Sequence, residues 1–250
     1  MPEFDSDGVK IAFLDQGVGD PVLLIHGFAS NAQVNWVDTG WVRHLEREGR
    51  RVVAIDNRGH GRSAKLHRPE DYSGPIMAED CRRLLDHLGI GRADVIGYSM
   101  GARIAAFLAL AHPDRVRSVV FAGLGGNMVR PMAGTGPIAA ALEAPTIDDV
   151  KNATARTFRA FAEQTKSDLK ALAACIRSSR DPLTAEALAT LRCPVLVAVG
   201  SEDVIGGSAE DLARLIPGAE ALVIQGRDHM RATGDRAFKE GVSAFLARRP

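Results

Sequence analysis

Aromatic residues make up only 5% of this 250-residue chain, and its charges cancel, with 31 Lys and Arg against 31 Asp and Glu. A base-stacking surface needs aromatic side chains, and a surface that holds a polyanion or an anionic membrane needs an excess of Lys and Arg. Neither nucleic acid nor a membrane is therefore an expected partner. Cysteine is scarce as well: Cys81, Cys175 and Cys193 are odd in number and far apart, which gives neither a disulfide framework nor a pair of zinc ligands. No apolar run approaches the ~18 residues that cross a bilayer. The acidic opening Met1-Pro2-Glu3-Phe4-Asp5-Ser6-Asp7-Gly8 lacks the basic and apolar segments of a secretory signal. Free thiols in a cytoplasmic setting are the expectation. The chain also has no HExxH pattern, no tight His/Cys cluster, no P-loop and no dinucleotide glycine fingerprint, so neither metal nor cofactor is expected.

The remaining composition, 46% hydrophobic and 25% charged, is that of an ordinary globular protein. A chain of this length buries roughly 70–75% of the surface its unfolded form exposes, enough for a core without staples. Short β-branched or apolar runs alternate with amphipathic stretches of helical length. Strands are predicted over 9–14, 22–26, 51–55, 93–98 and 116–122, and helices over 36–48, 75–88 and 100–111. The alternation implies an α/β fold, a mostly parallel sheet with helices on both faces. It stops at 123–192, where helical periods over 139–143, 147–161, 166–177 and 184–191 are interrupted by Pro145 and Pro182. It resumes with strands at 194–200 and 221–224 and helices at 208–216 and 235–248. The division expected is a core of 1–125 and 190–250 with a small helical cap, 126–189, inserted in it.

The sharpest local signal is Gly97-Tyr98-Ser99-Met100-Gly101, placed where a predicted strand gives way to a predicted helix. Gly97 and Gly101 suit a tight strand-to-helix turn that lifts the serine hydroxyl above the sheet edge, and the helix N-terminus favours negative charge there. A serine hydroxyl needs a base, and the base needs a third group to fix its tautomer. Of the seven histidines, His229 alone follows a late strand in a loop before the last helix. His44 and His87 fall on helices, His67 in a polar loop, His112 before a helix-stopping Pro, and His26 and His60 in Gly-rich turns. Gly200-Ser201-Glu202-Asp203 follows a strand end and offers the acid, with Asp203 favoured by position over Glu202. The preceding strand end, Ala122 to Asn127, carries no carboxylate.

The order Ser99, Asp203, His229 is that of α/β-hydrolases. The sequence resembles that superfamily along essentially its whole length, specifically the branch of small-cap serine esterases, enol-lactonases and cofactor-free perhydrolases. His26-Gly27-Phe28 and Asp56-Asn57-Arg58-Gly59-His60-Gly61-Arg62-Ser63 are similar to two further family segments. The resemblance implies that the backbone N–H groups of Phe28 and Met100 form an oxyanion hole, and that Asp56, Arg58 and His60 fix a loop. It also implies Asp, not Ser, at the elbow of haloalkane dehalogenases and epoxide hydrolases. Two departures stand out. Asp228 precedes His229 where the family usually has Gly, and the usual Glu-x-Pro after it is missing. Arg103 stands where a small residue is common, and it is expected to snorkel to solvent.

The reading that follows is a serine hydrolase for a small carboxylic ester or lactone, working through an acyl-enzyme on Ser99. The same residues would serve a perhydrolase with peroxide as acceptor, and a ligand-sensing protein could retain the scaffold. Phe28, Met100, Trp36, Phe158 and Phe161 are the candidate substrate contacts, although Trp36, with Trp41, is first of all expected to anchor the first helix on the sheet. A carboxylate at Asp228 turned toward the imidazole would raise the pKa of His229, whereas one that caps the turn would leave it alone.

Overall fold

The computed structural model of the protein describes residues 1–130, 135–178 and 183–248. Eight strands form one sheet in the order β1-β2-β4-β3-β5-β6-β7-β8. They are β1 (Glu3–Ser6), β2 (Val9–Gln16), β3 (Asp20–Ile25), β4 (Arg50–Ile55), β5 (Ala93–Tyr98), β6 (Val116–Ala122), β7 (Val195–Gly200) and β8 (Glu220–Ile224). The pairs β1/β2 and β2/β4 are antiparallel, and every other pair is parallel. β1 is an addition to the sequence reading; at four residues with a mixed pattern it carries too little periodicity to stand out. Although only a short turn separates β2 from β3, β4 lies between them in the sheet. That turn passes so close to the next that a Cβ on Gly19, at φ +104°, would sit 2.1 Å from the Gly49 carbonyl oxygen.

The strands are apolar on both faces because both are covered. Leu23, Ile25, Val53, Ile55, Val95, Val119, Phe121, Val197 and Val199 face one cluster. Helices α2 (Gly74–His87) and α3 (Met100–Ala111) lie on that side, and the later helix at Ala209–Ala213 joins them. The alternate residues Val22, Leu24, Val52, Ala54, Ile96, Val120, Leu196 and Ala198 face the other cluster. There they meet α1 (Trp41–Arg47) and the closing helix at Arg236–Arg248. This strict alternation locks the register, since a one-residue slip would exchange the two faces.

The single helix expected over 36–48 is corrected to a π-helical turn, Gln33–Val37, followed by α1. Gly40 is the cause: it adopts φ +79° as the N-cap of α1, a left-handed conformation that no continuous helix accommodates. Between β6 and β7 lie α4 (Thr135–Glu143), α5 (Ala153–Gln164), α6 (Leu169–Arg177) and α7 (Ala185–Leu188). Asn152, Asp168 and Thr184 cap α5, α6 and α7 through side-chain oxygens, which sets starts later than apolar periodicity alone suggests. Pro182 lies outside the described residues. These helices share an apolar cluster of their own, with Ile138, Leu142, Ala155, Ala162, Leu172 and Ile176 at its centre. The remaining helices are α8 (Ala209–Ala213) and α9 (Arg236–Arg248).

Candidate active site

Ser99 sits between β5 and α3 with φ +55° and ψ −111°, a conformation rare for an L side chain. The flanking glycines allow it. A Cβ on Gly97 would lie 2.2 Å from the Gly101 carbonyl oxygen, and one on Gly101 would lie 2.0 Å from that of Ile25. β5 and β6 fix the turn from below, with the Ser99 N–H donating to the Ala122 carbonyl at 2.7 Å.

Three side chains from distant parts of the chain then meet. Ser99 Oγ is 3.0 Å from His229 Nε2, and His229 Nδ1 is 2.7 Å from Asp203 Oδ2. The second oxygen of Asp203 accepts from the N–H groups of Ile205 at 2.9 Å and Gly206 at 2.8 Å, so the carboxylate is fully engaged. Because an ionised carboxylate only accepts, Nδ1 carries the imidazole proton, and Nε2 is left to accept from the serine hydroxyl. Of the two carboxylates that follow β7, Asp203 is buried and reaches the imidazole, while Glu202 is exposed and takes no part in this chain of bonds.

The loop that carries His229 is held at several places. Its Asp228 Oδ1 accepts from the N–H groups of Met230 at 3.1 Å and Arg231 at 2.8 Å, and Oδ2 lies 3.7 Å from Arg231 Nε. The Tyr98 hydroxyl donates to the His229 carbonyl, Trp41 Nε1 donates to the Thr233 carbonyl at 2.7 Å, and Arg227 pairs with Asp235 at 2.5 Å. Asp228 therefore caps the turn, the second of the two roles open to it in the sequence. The reach of Tyr98 is not legible in the sequence, since a place between Gly97 and Ser99 gives no sign of where its hydroxyl points.

Opposite the serine, residues 26–30 run from the end of β3 past the start of α3. His26 is fully buried; its Nε2 accepts the Asn57 N–H at 2.9 Å, so Nδ1 bears the proton and donates to the Gly27 carbonyl at 2.7 Å. Burial holds this imidazole below its ordinary pKa, against the opposing charge of Asp56 and the bond to Gly27. Asn35 Oδ1 accepts the Gly27 N–H at 3.0 Å. Met100 is the first residue of α3, so its N–H has no acceptor within the helix. Phe28 is half-buried, with its ring edge-on to Phe158 of α5 at 6.0 Å and to His60 at 5.8 Å. Phe161 is half-buried in the same helical cluster.

Asp56, Arg58 and His60 fix their loop. Asp56 accepts from the Ala32 and Arg62 N–H groups at 2.8 Å each, Arg58 binds Asp80 through Nε at 2.7 Å and Nη2 at 2.8 Å, and His60 Nδ1 meets the Arg58 carbonyl at 2.9 Å. Two expectations need correction. Trp36 is 0% exposed and packs edge-on to Trp41 at 6.0 Å on the α1/α9 side, so it is a core residue with no surface to offer a substrate. Arg103 does not reach solvent; it is buried and donates through Nη1 to the Met128 carbonyl at 3.2 Å, because the segment after β6 folds over α3. Among the described residues, no group of three or more His, Cys, Asp or Glu is gathered in a way that could hold a metal ion. No helix among them is long and apolar enough to cross a membrane.

The profile of the family described as alpha/beta hydrolase fold matches residues 20–165. The chain belongs to that family. The alpha/beta hydrolase is 35% identical over 126 residues to a 2-hydroxymuconate semialdehyde hydrolase of Pseudomonas sp. (strain CF600), covering 50% of this chain and 43% of that protein. It is 34% identical over 113 residues to bifunctional epoxide hydrolase 2 of Sus scrofa, covering 45% of this chain and 20% of that protein. These matches thus span less than half the length of either curated relative. A solved structure described as an N-acyl homoserine lactone degrading enzyme is similar throughout, with a TM-score of 0.80 and 27% identity over 98% of this chain and 100% of that one.

Proposed function

We propose that this alpha/beta hydrolase is a serine hydrolase that cleaves a small carboxylic ester or lactone. The observation that carries the reading is the unbroken line of hydrogen bonds from Asp203 through His229 to a hydroxyl held on a strained, glycine-flanked turn. His229 takes the Ser99 proton as Oγ attacks the carbonyl carbon, and the oxygen that gains negative charge lies between the N–H groups of Phe28 and Met100. Collapse of that intermediate expels the alcohol, which receives its proton from His229. Water, deprotonated by the same imidazole, then releases the acyl group and restores Ser99. Asp203 keeps the imidazole in the productive tautomer and stabilises its cation without taking the proton. Fixed donors at the oxyanion are already oriented, and loss of one typically costs about 3 kcal/mol in the transition state.

Ser99 stands where epoxide hydrolases of the family carry Asp, which favours acyl transfer over epoxide opening despite the likeness to epoxide hydrolase 2. The likeness to a lactone-degrading enzyme supports a lactone or ester as the substrate class. The helical segment 126–189 forms the cap, and Phe28, Met100, Phe158 and Phe161 are the apolar contacts with the acyl group. Cys81, Cys175 and Cys193, which are joined in no disulfide among the described residues, suit a reducing, cytoplasmic setting.

A fluorophosphonate probe followed by peptide mapping tests the reading. The adduct is expected on Ser99, with Ser99→Ala and His229→Ala each lowering kcat toward p-nitrophenyl acetate by roughly 10⁴ and the double variant little further, because the residues act as a unit. A label on another serine, or full turnover by Ser99→Ala, would overturn it.

A further inference from the structure

Residues 27–30 form a β-turn closed by the Ser30 N–H on the Gly27 carbonyl at 3.3 Å. Its third residue, Ala29, has φ +59°, while Phe28 is not among the residues with positive φ. That is the signature of a type II turn, whose third position is normally Gly because L side chains rarely adopt it. A non-glycine residue persists there only where its surroundings hold it.

The first half of the turn is gripped by the core, through Asn35 and His26 on Gly27. Ala29 is gripped from elsewhere. Its carbonyl accepts from Thr165 Oγ1 at 3.0 Å, and Thr165 is the C-cap of α5 in the cap. The same hydroxyl is near the Phe161 and Ala162 carbonyls, but these already accept the Thr165 and Ser167 N–H groups at 2.9 Å each. The buried Ala29 carbonyl receives no backbone N–H among the described residues, so the Thr165 proton satisfies it, with Ser167 Oγ 2.9 Å behind. The Ala29 methyl tells the same story. It belongs to the apolar cluster of the cap, in which Ala29 and Phe28 are, among the described residues, the only members from outside the segment between β6 and β7.

We infer that the cap builds half of the oxyanion hole, with Thr165 as the positioning residue that keeps Ala29 left-handed and so keeps the Phe28 N–H aimed at the reacting carbonyl. Without that hold, Ala29 would relax to negative φ, the Phe28–Ala29 peptide would turn over, and the donor segment would shift. Seating of the cap and assembly of the hole are then one event. The inference rests on the hydrolase reading above, in which Phe28 is an oxyanion donor.

The test compares wild type, Thr165→Val, Thr165→Ser and the same Val change in an Ala29→Gly background, reading kcat and KM for p-nitrophenyl acetate and the rate of fluorophosphonate labelling. Thr165→Val is expected to lower kcat and the labelling rate roughly tenfold with KM within about twofold, the effect of one lost positioning bond on the transition state. Thr165→Ser, which keeps the hydroxyl, should recover most of the loss. In the Ala29→Gly background the turn no longer needs the hold, so the Val change should cost less than about threefold. Should Thr165→Val not fold, as judged by near-ultraviolet circular dichroism, Thr165→Ala takes its place. An unchanged kcat in Thr165→Val, or an equal loss with and without Ala29→Gly, overturns the inference while labelled wild type leaves the hydrolase reading standing. Wild type that takes no label at Ser99 overturns that reading and this inference together.

Discussion

The Tyr98 hydroxyl donates to the main-chain carbonyl of His229 at 2.5 Å, so the residue before Ser99, the proposed nucleophile, also holds the residue proposed as its base. Burial pushes the phenol well above its ordinary pKa, ahead of the opposing bond to Thr233, and this favours the neutral, donating form. Tyr98→Phe keeps the ring that fills the space beside Gly123 and removes only the hydroxyl, with its bonds to the His229 carbonyl and to Thr233. The expected result is a loss of about 1 kcal/mol in unfolding free energy. A fall in kcat of roughly tenfold should accompany it as the imidazole loosens, with KM nearly unchanged. Urea unfolding and steady-state kinetics on the same samples check both.

The two oxygens of Asp203 divide their work, one on His229 and one on the N–H groups of Ile205 and Gly206. Asp203→Asn should keep the fold yet lower kcat by about 10⁴, because an amide nitrogen facing the ring favours the wrong tautomer. Glu202→Gln, on an exposed neighbour, should stay within about twofold of wild type. Comparable losses in both variants would remove Asp203 from its role.

Local rules made most of this architecture legible. Period-two and period-3.6 patterns placed seven of the eight strands, and 93–98, 100–111 and 116–122 match their elements residue for residue. Gly-x-Ser-x-Gly and the position of Asp203 and His229 after late strands located the three side chains that meet. The remainder depended on contacts between distant residues. Nothing near Trp36 told that Gly40 would break the helix, although the indole does anchor that segment on the sheet as its sequence position suggests, and nothing near Arg103 told that its guanidinium would be buried against the Met128 carbonyl. Likewise the hold of Thr165 on Ala29 spans 136 residues, beyond the reach of any local pattern.

His26 ties pH to stability. Burial depresses its folded pKa, whereas in the unfolded chain it titrates near 6.5. Below that value the unfolded state binds the extra proton, so the stability contributed by neutral His26 is complete above about pH 6.5 and is lost as pH falls toward the folded pKa. The slope this one group adds is at most about 1.4 kcal/mol per pH unit. Urea unfolding of wild type and His26→Asn at pH 7.5, 6.5 and 5.5 would measure it (conditions spanning roughly one unit either side of the free imidazole). The variant should be less stable at the highest pH and should close part of the gap as pH falls. A constant difference across the series would show that His26 exchanges no proton on unfolding.

Asp228, which stands directly before the proposed base, spends its carboxylate on the backbone that follows His229. Oδ1 takes the N–H groups of Met230 and Arg231, and Arg231 Nε lies 3.7 Å from Oδ2. A side chain used in this way shapes the loop and contributes little field at the imidazole, since its charge is partly countered by Arg231 and screened by solvent within about 8–10 Å. Asparagine offers the same Oδ1 acceptor without the charge, and glycine offers neither. Asp228→Asn should therefore leave the acid limb of kcat/KM in place and cost less than about twofold in rate, while Asp228→Gly should lower kcat several-fold by freeing the turn, a loss of roughly 1 kcal/mol. If the carboxylate acted through its charge, both variants would lower the imidazole pKa, because a nearby anion favours the protonated ring. The acid limb would then move to lower pH in both, and added salt would shrink the shift. Profiles of kcat/KM against pH for the three proteins at low and high ionic strength separate these outcomes, and coincident limbs with a rate loss confined to Asp228→Gly are the result expected of a cap.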